Sequence, residues 1–151
     1  MKLTARFLNS RRALRMPLPI FRAGFGWIFG GRLMMLEHRG RFSGSWREVI
    51  LEVVERESKD ALLIASGLGP NSQWYRNLRE FPICRVNVGF IRRRDARAEL
   101  LSPDESRSAL ARHASAHPAT YRALKRAIVE ATGDAEPDIP VVRLILAPAR
   151  R

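Results

Sequence analysis

The spacing of apolar and polar positions changes period along the chain, and each change marks an element. Residues 17–30 are dense in aromatics, with Phe21, Phe25, Trp27 and Phe29, and follow a basic amphipathic stretch at residues 3–15. Pro17 and Pro19 separate the two, so the pattern predicts a short basic helix and then an apolar one. From residue 32 the period becomes two. Residues 32–38, 47–55, 61–66 and 83–88 are strand candidates; in the last, Cys84, Val86 and Val88 alternate with Ile83, Arg85 and Asn87. Gly89 and Phe90 can turn the chain back into a strand at about residues 91–101, whose RRRDAR stretch is expected to be a solvated edge. Between the third and fourth strands Trp74, Leu78 and Phe81 recur at helical spacing, and Pro82 stops that helix. SPDE at residues 102–105 is a capping box with Pro103 at the first helical position, opening a helix to about His117. Another begins at Pro118, carries Tyr121, Leu124 and Ile128 on one face and ends at Gly133. Residues 139–146 read as a closing strand.

Six mostly antiparallel strands, with helices at the N-terminus, inserted, and near the C-terminus, predict a small α+β barrel. A chain of 151 residues is one domain's worth of core. The boundaries expected are a helical segment at residues 1–30 and a single barrel domain at residues 31–151.

Charge adds to this picture. The net charge is +12, and residues 1–47 carry ten Lys or Arg against the single acid Glu37. That asymmetry fits nucleic acid, an anionic membrane or a phosphorylated cofactor. Only three of the 27 basic residues are Lys, so part of the arginine excess can reflect genome composition rather than a ligand. Basic residues followed by aromatics in residues 1–30 predict attachment to an anionic membrane surface, with packing over one end of the barrel as the alternative. The opening residues have charges where a secretion signal needs an apolar core. The longest uncharged run, residues 61–75, contains Gly67, Gly69, Pro70 and Asn71 and does not read as a transmembrane helix. The lone Cys84 excludes an internal disulfide and a CxxC site and suits a reducing cytoplasm, where a monomer or homodimer is expected.

The usual catalytic sets are missing. His38, His113 and His117 are the only histidines. The last two stand at i,i+4 but belong to no HExxH motif and have no third ligand nearby, which favours a surface or capping role over a metal site. There is no GxSxG elbow, P-loop or GxGxxG. What remains is the turn in LEHRGRFSGSWR. Gly40 and Gly44 let amides point inward, Ser43 adds a hydroxyl, and Arg41 and Arg47 can each fork onto a phosphate or carboxylate. Arginines that close repel one another unless an anion lies between them.

GRFSGSWR at residues 40–47, ASG at 65–67 and WYRNLREFP at 74–82, in this order, resemble the deazaflavin-dependent nitroreductase family over residues 33–89 and more weakly at IPVV near the end. The resemblance implies a split β-barrel related to the flavin mononucleotide-binding fold. It also implies coenzyme F420, with flavin mononucleotide (FMN) as the alternative cofactor, and hydride transfer to a small electron-poor acceptor such as a quinone, nitroarene or activated alkene. Carried over by position, Gly40, Arg41, Ser43, Gly44 and Arg47 hold the deazaflavin's phosphate and glutamate tail. Ala65 and Ser66 lie along the ring, Trp74 and Asn77 stand around the cofactor, and Ser66 and Tyr121 are the candidate donors to charge developing on the acceptor. Two positions depart from the family: Phe42 stands where a cation is usual in the loop, and Gly67 where many members have Lys. The resemblance thus implies two missing cationic contacts, with Arg39, Arg76 or Arg79 as substitutes. The alternatives are a non-catalytic barrel holding flavin, deazaflavin or heme, and a nucleic-acid-binding protein, for which no recognised motif is present.

Overall fold

A computed structural model describes residues 18–66, 69–134 and 138–149. The basic helix expected at residues 3–15 lies outside them. The element order is α1 (Leu18–Arg22), a 3-10 turn (Gly26–Phe29), β1 (Leu33–Arg39), β2 (Trp46–Ser58), β3 (Ala61–Ala65), α2 (Gln73–Glu80), β4 (Ile83–Val88), β5 (Ile91–Leu100), α3 (Pro103–Ala116), α4 (Pro118–Thr132) and β6 (Val141–Leu146). The six strands close into one barrel in the order β1-β2-β3-β6-β5-β4, every pairing antiparallel. The α+β barrel expected from the sequence is thus the observed fold.

Period two sorts each strand between two environments. Met34, Leu36, Leu62, Ile64, Cys84, Val86, Val88, Val142 and Leu144 point inward, and Trp74, Tyr75 and Leu78 of α2 join this core. The alternate positions Val54, Leu63 and Val141 face out and are covered by Ala109 and Leu110 of α3 and Leu124 and Ile128 of α4. On another outer face Met35 and Ile50 are covered by Leu18 and Phe21. Among the described residues no helix is long and apolar enough to cross a membrane.

Four expectations are corrected. Residues 17–30 are not one helix. Gly24 takes φ +86°, and Gly26 lies so close to the Phe21 ring that a Cβ there would come within 2.5 Å of it, so the chain folds back and Phe21 stacks on Phe29 at 5.5 Å. β5 is an edge only in its first half: β4 pairs along it, while β6 pairs with Ala96–Leu100 and leaves the side of Arg92–Arg94 away from β4 without a ladder partner among the described strands. Phe81 is past the end of α2 and exposed. β2 runs three residues beyond its expected end, to Ser58, through two register shifts against β3. The capping box is present: Ser102 accepts a hydrogen bond from the Glu105 amide. Gly133 ends α4 in the left-handed conformation.

Candidate functional site

The turn between β1 and β2 is built by short local bonds. The Gly44 amide donates to the Gly40 carbonyl at 2.7 Å, and the Gly40 amide donates to the Ser45 carbonyl at 2.8 Å. Gly44 has φ +71°, a conformation glycine adopts without a Cβ penalty. Gly40 is needed for a different reason. A Cβ there would lie 2.7 Å from Ser43 Oγ and 2.9 Å from Arg47 Nε. The two side chains therefore converge over Gly40, where a Cβ would have to push them aside, placing a hydroxyl and a guanidinium together as a phosphate or carboxylate requires. Phosphate and glutamate carboxylates fit this donor set.

α2 supplies the other side. Asn77 Oδ1 accepts from the Arg41 amide at 3.1 Å and from Arg41 Nη1 at 2.9 Å, and Asn77 Nδ2 meets His38 Nδ1 at 3.1 Å. The Arg41 guanidinium also lies 4.7 Å above the Phe42 ring. Phe42 is 91% exposed, so at the position where the resemblance expects a cation this chain offers a ring face to its neighbouring arginine. Arg39 and Arg85 pack on Trp46 at 4.7 and 4.2 Å. Elsewhere arginines meet acids: Arg22 pairs with Glu48, Arg112 with Glu55, and Arg143 with Glu57 and Glu99. Among the described residues Arg41 and Arg47 have no carboxylate at ion-pair distance.

Gly40, Arg41, Ser43, Gly44, Arg47 and Asn77 thus form one cluster. Trp74, one turn before Asn77 on α2, is buried in the barrel core with its ring edge-on to Tyr75. Ala65 ends β3 and pairs with Val141. Ser66 is fully buried; its amide donates to the Pro140 carbonyl and its hydroxyl is hydrogen-bonded to the Gly69 carbonyl and to Ser72 Oγ, fixing the loop that leads into α2. Tyr121 packs in the outer helical layer, its ring 6.4 Å from that of His113, away from the turn's own contacts. Gly67 lies outside the described residues. His113 is buried and His117 caps the α3–α4 junction; no group of three or more metal-ligating side chains occurs among the described residues.

The sequence reading missed His38. It is 4% exposed, and burial, with Arg47 opposite it in register, pushes its pKa down to about 4. The signal was available: His38 follows Met34 and Leu36 at spacing two, which puts an imidazole on the inward face at the barrel's end.

The profile of the F420H(2)-dependent quinone reductase family matches residues 21–142. A Mycobacterium tuberculosis protein named as a candidate F420H(2)-dependent quinone reductase is 35% identical over 85 residues, which cover 56% of this chain and 71% of that one. A solved F420-H2 dependent reductase, FDR-A, superposes with a TM-score of 0.52 at 21% identity, covering 75% of this chain and 93% of its own. A Listeria innocua protein described as a candidate pyridoxamine 5′-phosphate oxidase has a TM-score of 0.54 at 10% identity, covering 87% and 96%. At such identities the superpositions establish the barrel and leave the cofactor to the sequence match. That match spans most of the chain, including the turn, α2 and five of the six strands entire, and the chain belongs to the F420H(2)-dependent quinone reductase family, oxidoreductases whose cofactor is coenzyme F420.

Proposed function

We propose that this protein passes hydride from reduced F420 to an electron-poor acceptor, a quinone first and otherwise a nitroarene or activated alkene. In this reading residues 40–47 hold the cofactor's phosphate and glutamate tail. The observation that carries it is the convergence of Ser43 Oγ and Arg47 Nε over Gly40, beside an Arg41 that has no carboxylate at ion-pair distance among the described residues. Quinone comes first because the family and the M. tuberculosis relative are named for it.

When bound, reduced F420 supplies the hydride; the chain's residues bind, orient and exclude water. Arg41 and Arg47 balance the tail's charge, and Ser43 donates to a phosphate oxygen. Gly44 sets the turn that aims them. Asn77 fixes Arg41, while Trp74 and Ala65 form apolar wall behind the cofactor. Ser66 serves by holding the loop before α2, since its hydroxyl is already engaged; Tyr121 serves the outer helical layer. This reassigns the two hydroxyls expected to steady charge on the acceptor.

Fluorescence titration with F420, beside FMN as control, tests the reading. Arg41→Ala, Arg47→Ala and Gly40→Ala should each weaken F420 binding about tenfold or more, the worth of one charge-assisted hydrogen bond. A wild-type protein that ignores F420, or three variants that bind as well as it does, would overturn the tail site.

Attachment to an anionic membrane surface through residues 1–30 belongs to the same proposal, because it would bring a lipid-soluble quinone within reach. Its support is an exposed apolar patch of Phe25, Trp27, Ile28 and Phe90, with Trp27 stacked on Phe90 at 6.1 Å. Nearby, Arg85, Arg92, Arg93 and Arg94 line, with Asp95, a cavity of about 530 Å³; Arg85 and Arg93 face Glu37 and Arg85 also Asp95, which leaves Arg92 and Arg94 as the cations offered to anionic headgroups. Anionic vesicles should shift the protein's tryptophan emission to the blue at low salt, and Trp27→Phe should abolish the shift. No co-sedimentation with such vesicles would end this part of the proposal.

A further inference from the structure

Arg41 depends on a relay whose hydrogen-bond directions are all fixed. The Arg41 amide and guanidinium can only donate, so the atom of Asn77 that meets both, at 3.1 and 2.9 Å, must be its carbonyl oxygen. The amide nitrogen of Asn77 then faces His38 Nδ1 at 3.1 Å, and because that nitrogen is itself only a donor, Nδ1 must accept. An imidazole accepting at Nδ1 is neutral and carries its proton on Nε2.

We infer that His38 is a positioning residue for the anion-binding turn: its neutral imidazole orients Asn77, and Asn77 in turn locks Arg41. The inference rests on the reading of the turn as the tail site and deepens it. It also gives Phe42 a part in binding. The Arg41 guanidinium is held at one edge by Asn77 and on one face by the Phe42 ring, leaving its remaining N–H groups to turn toward an anion. A preorganised arginine loses less freedom when it binds, and this offsets part of the loss of a cation at position 42. The charged groups facing the imidazole support the neutral form: Arg47 stands opposite it on β2, and Arg41 lies beyond Asn77. With the imidazole doubly protonated, two donors would meet at Nδ1. Asn77 could regain a partner there only by turning its oxygen away from both Arg41 donors.

Two measurements test this. Nitrogen-15 NMR of the cofactor-free protein at neutral pH should show His38 as the neutral Nε2–H tautomer. An Nδ1–H tautomer or an imidazolium would overturn the relay whether or not F420 binds. F420 titrations should then separate two variants. His38→Leu removes the acceptor and should weaken binding about tenfold to hundredfold, whereas His38→Asn, which can present an oxygen near the position of Nδ1, should restore it to within about threefold of wild type. If wild type binds F420 and a folded His38→Leu binds equally well, the positioning role is wrong and the tail site stands. Should His38→Leu fail to fold, loss of binding in His38→Asn would overturn the inference in its place. A wild type that does not bind F420 at all fails the tail site itself, and with it the cofactor role given to His38.

Discussion

A histidine can be kept neutral either by solvent at high pH or by a site that penalises its charge, and His38 is of the second kind. Its folded pKa, down to about 4, lies below the ordinary value of 6.5. The sign follows from linkage: above pH 6.5 both folded and unfolded chains hold it neutral, and as pH falls from 6.5 toward 4 the unfolded chain takes up a proton that the folded one refuses. Stability therefore drops across that window by about 1.4 kcal/mol per pH unit, about 3 kcal/mol in all. Denaturant unfolding at several pH values should show a steeper fall in wild type than in His38→Asn, since the other carboxylates and histidines, including His113, whose pKa burial also lowers, are common to both. An equal slope in the two proteins would mean that His38 titrates normally.

At the scale of elements, α2 joins the barrel core to the turn. Leu78 is fully buried in that core, and Asn77, next to it, clamps Arg41. Leu78→Ala should cost about 2–5 kcal/mol by leaving a cavity under the helix. It should also weaken F420 binding, because the helix that carries Asn77 loses its anchor in the core. Unfolding curves and titrations on the one variant check both, and a stability loss without any loss of binding would show that the turn holds Arg41 unaided. The same scale shows what the sequence made legible. β4 has the bounds its sequence predicts, because apolar Cys84, Val86 and Val88 alternate with Ile83, Arg85 and Asn87, although Asn87 is itself buried and hydrogen-bonded to Met35 and Glu37. β2 was cut short because Glu55, Glu57 and Ser58 no longer alternate with apolar positions. Its end is held instead by Arg112 on Glu55 and Arg143 on Glu57, partners supplied by α3 and β6 that no local pattern reports. Residues 17–30 were overread as helix because aromatic density was taken for helical period. Gly24 and Gly26 instead let the chain fold back, so that Phe21 stacks on Phe29 and Trp27 on Phe90.

For the whole molecule, the residue types that make the turn a candidate anion site are visible in the sequence alone, since three arginines around two glycines need a counter-charge. The relay behind it was not. It joins β1 to a helix whose Asn77 lies 39 residues further along the chain, a proximity that only the closed sheet creates. β5 stands where a strand was expected, at Ile91–Leu100, but closure gives its second half a neighbour that no local pattern reports. Arg92, Arg93 and Arg94 lie on the half that pairs with β4 alone, as an edge would, and only Ala96–Leu100 are flanked on both sides.

That closed sheet has a consequence for how the chain is made. β6 is the last strand in sequence and the one that joins β3 to β5. Until β6 has emerged, both of those strands show unpaired backbone to other nascent chains. Two helices, α3 and α4, are synthesised in the interval before it. The growing protein passes through a period of exposed sheet edges, the condition in which chaperones are recruited and chains pair with the wrong neighbour. Folding of this barrel is expected to be limited by the arrival and docking of its final strand, a long-range event, rather than by any hairpin that precedes it.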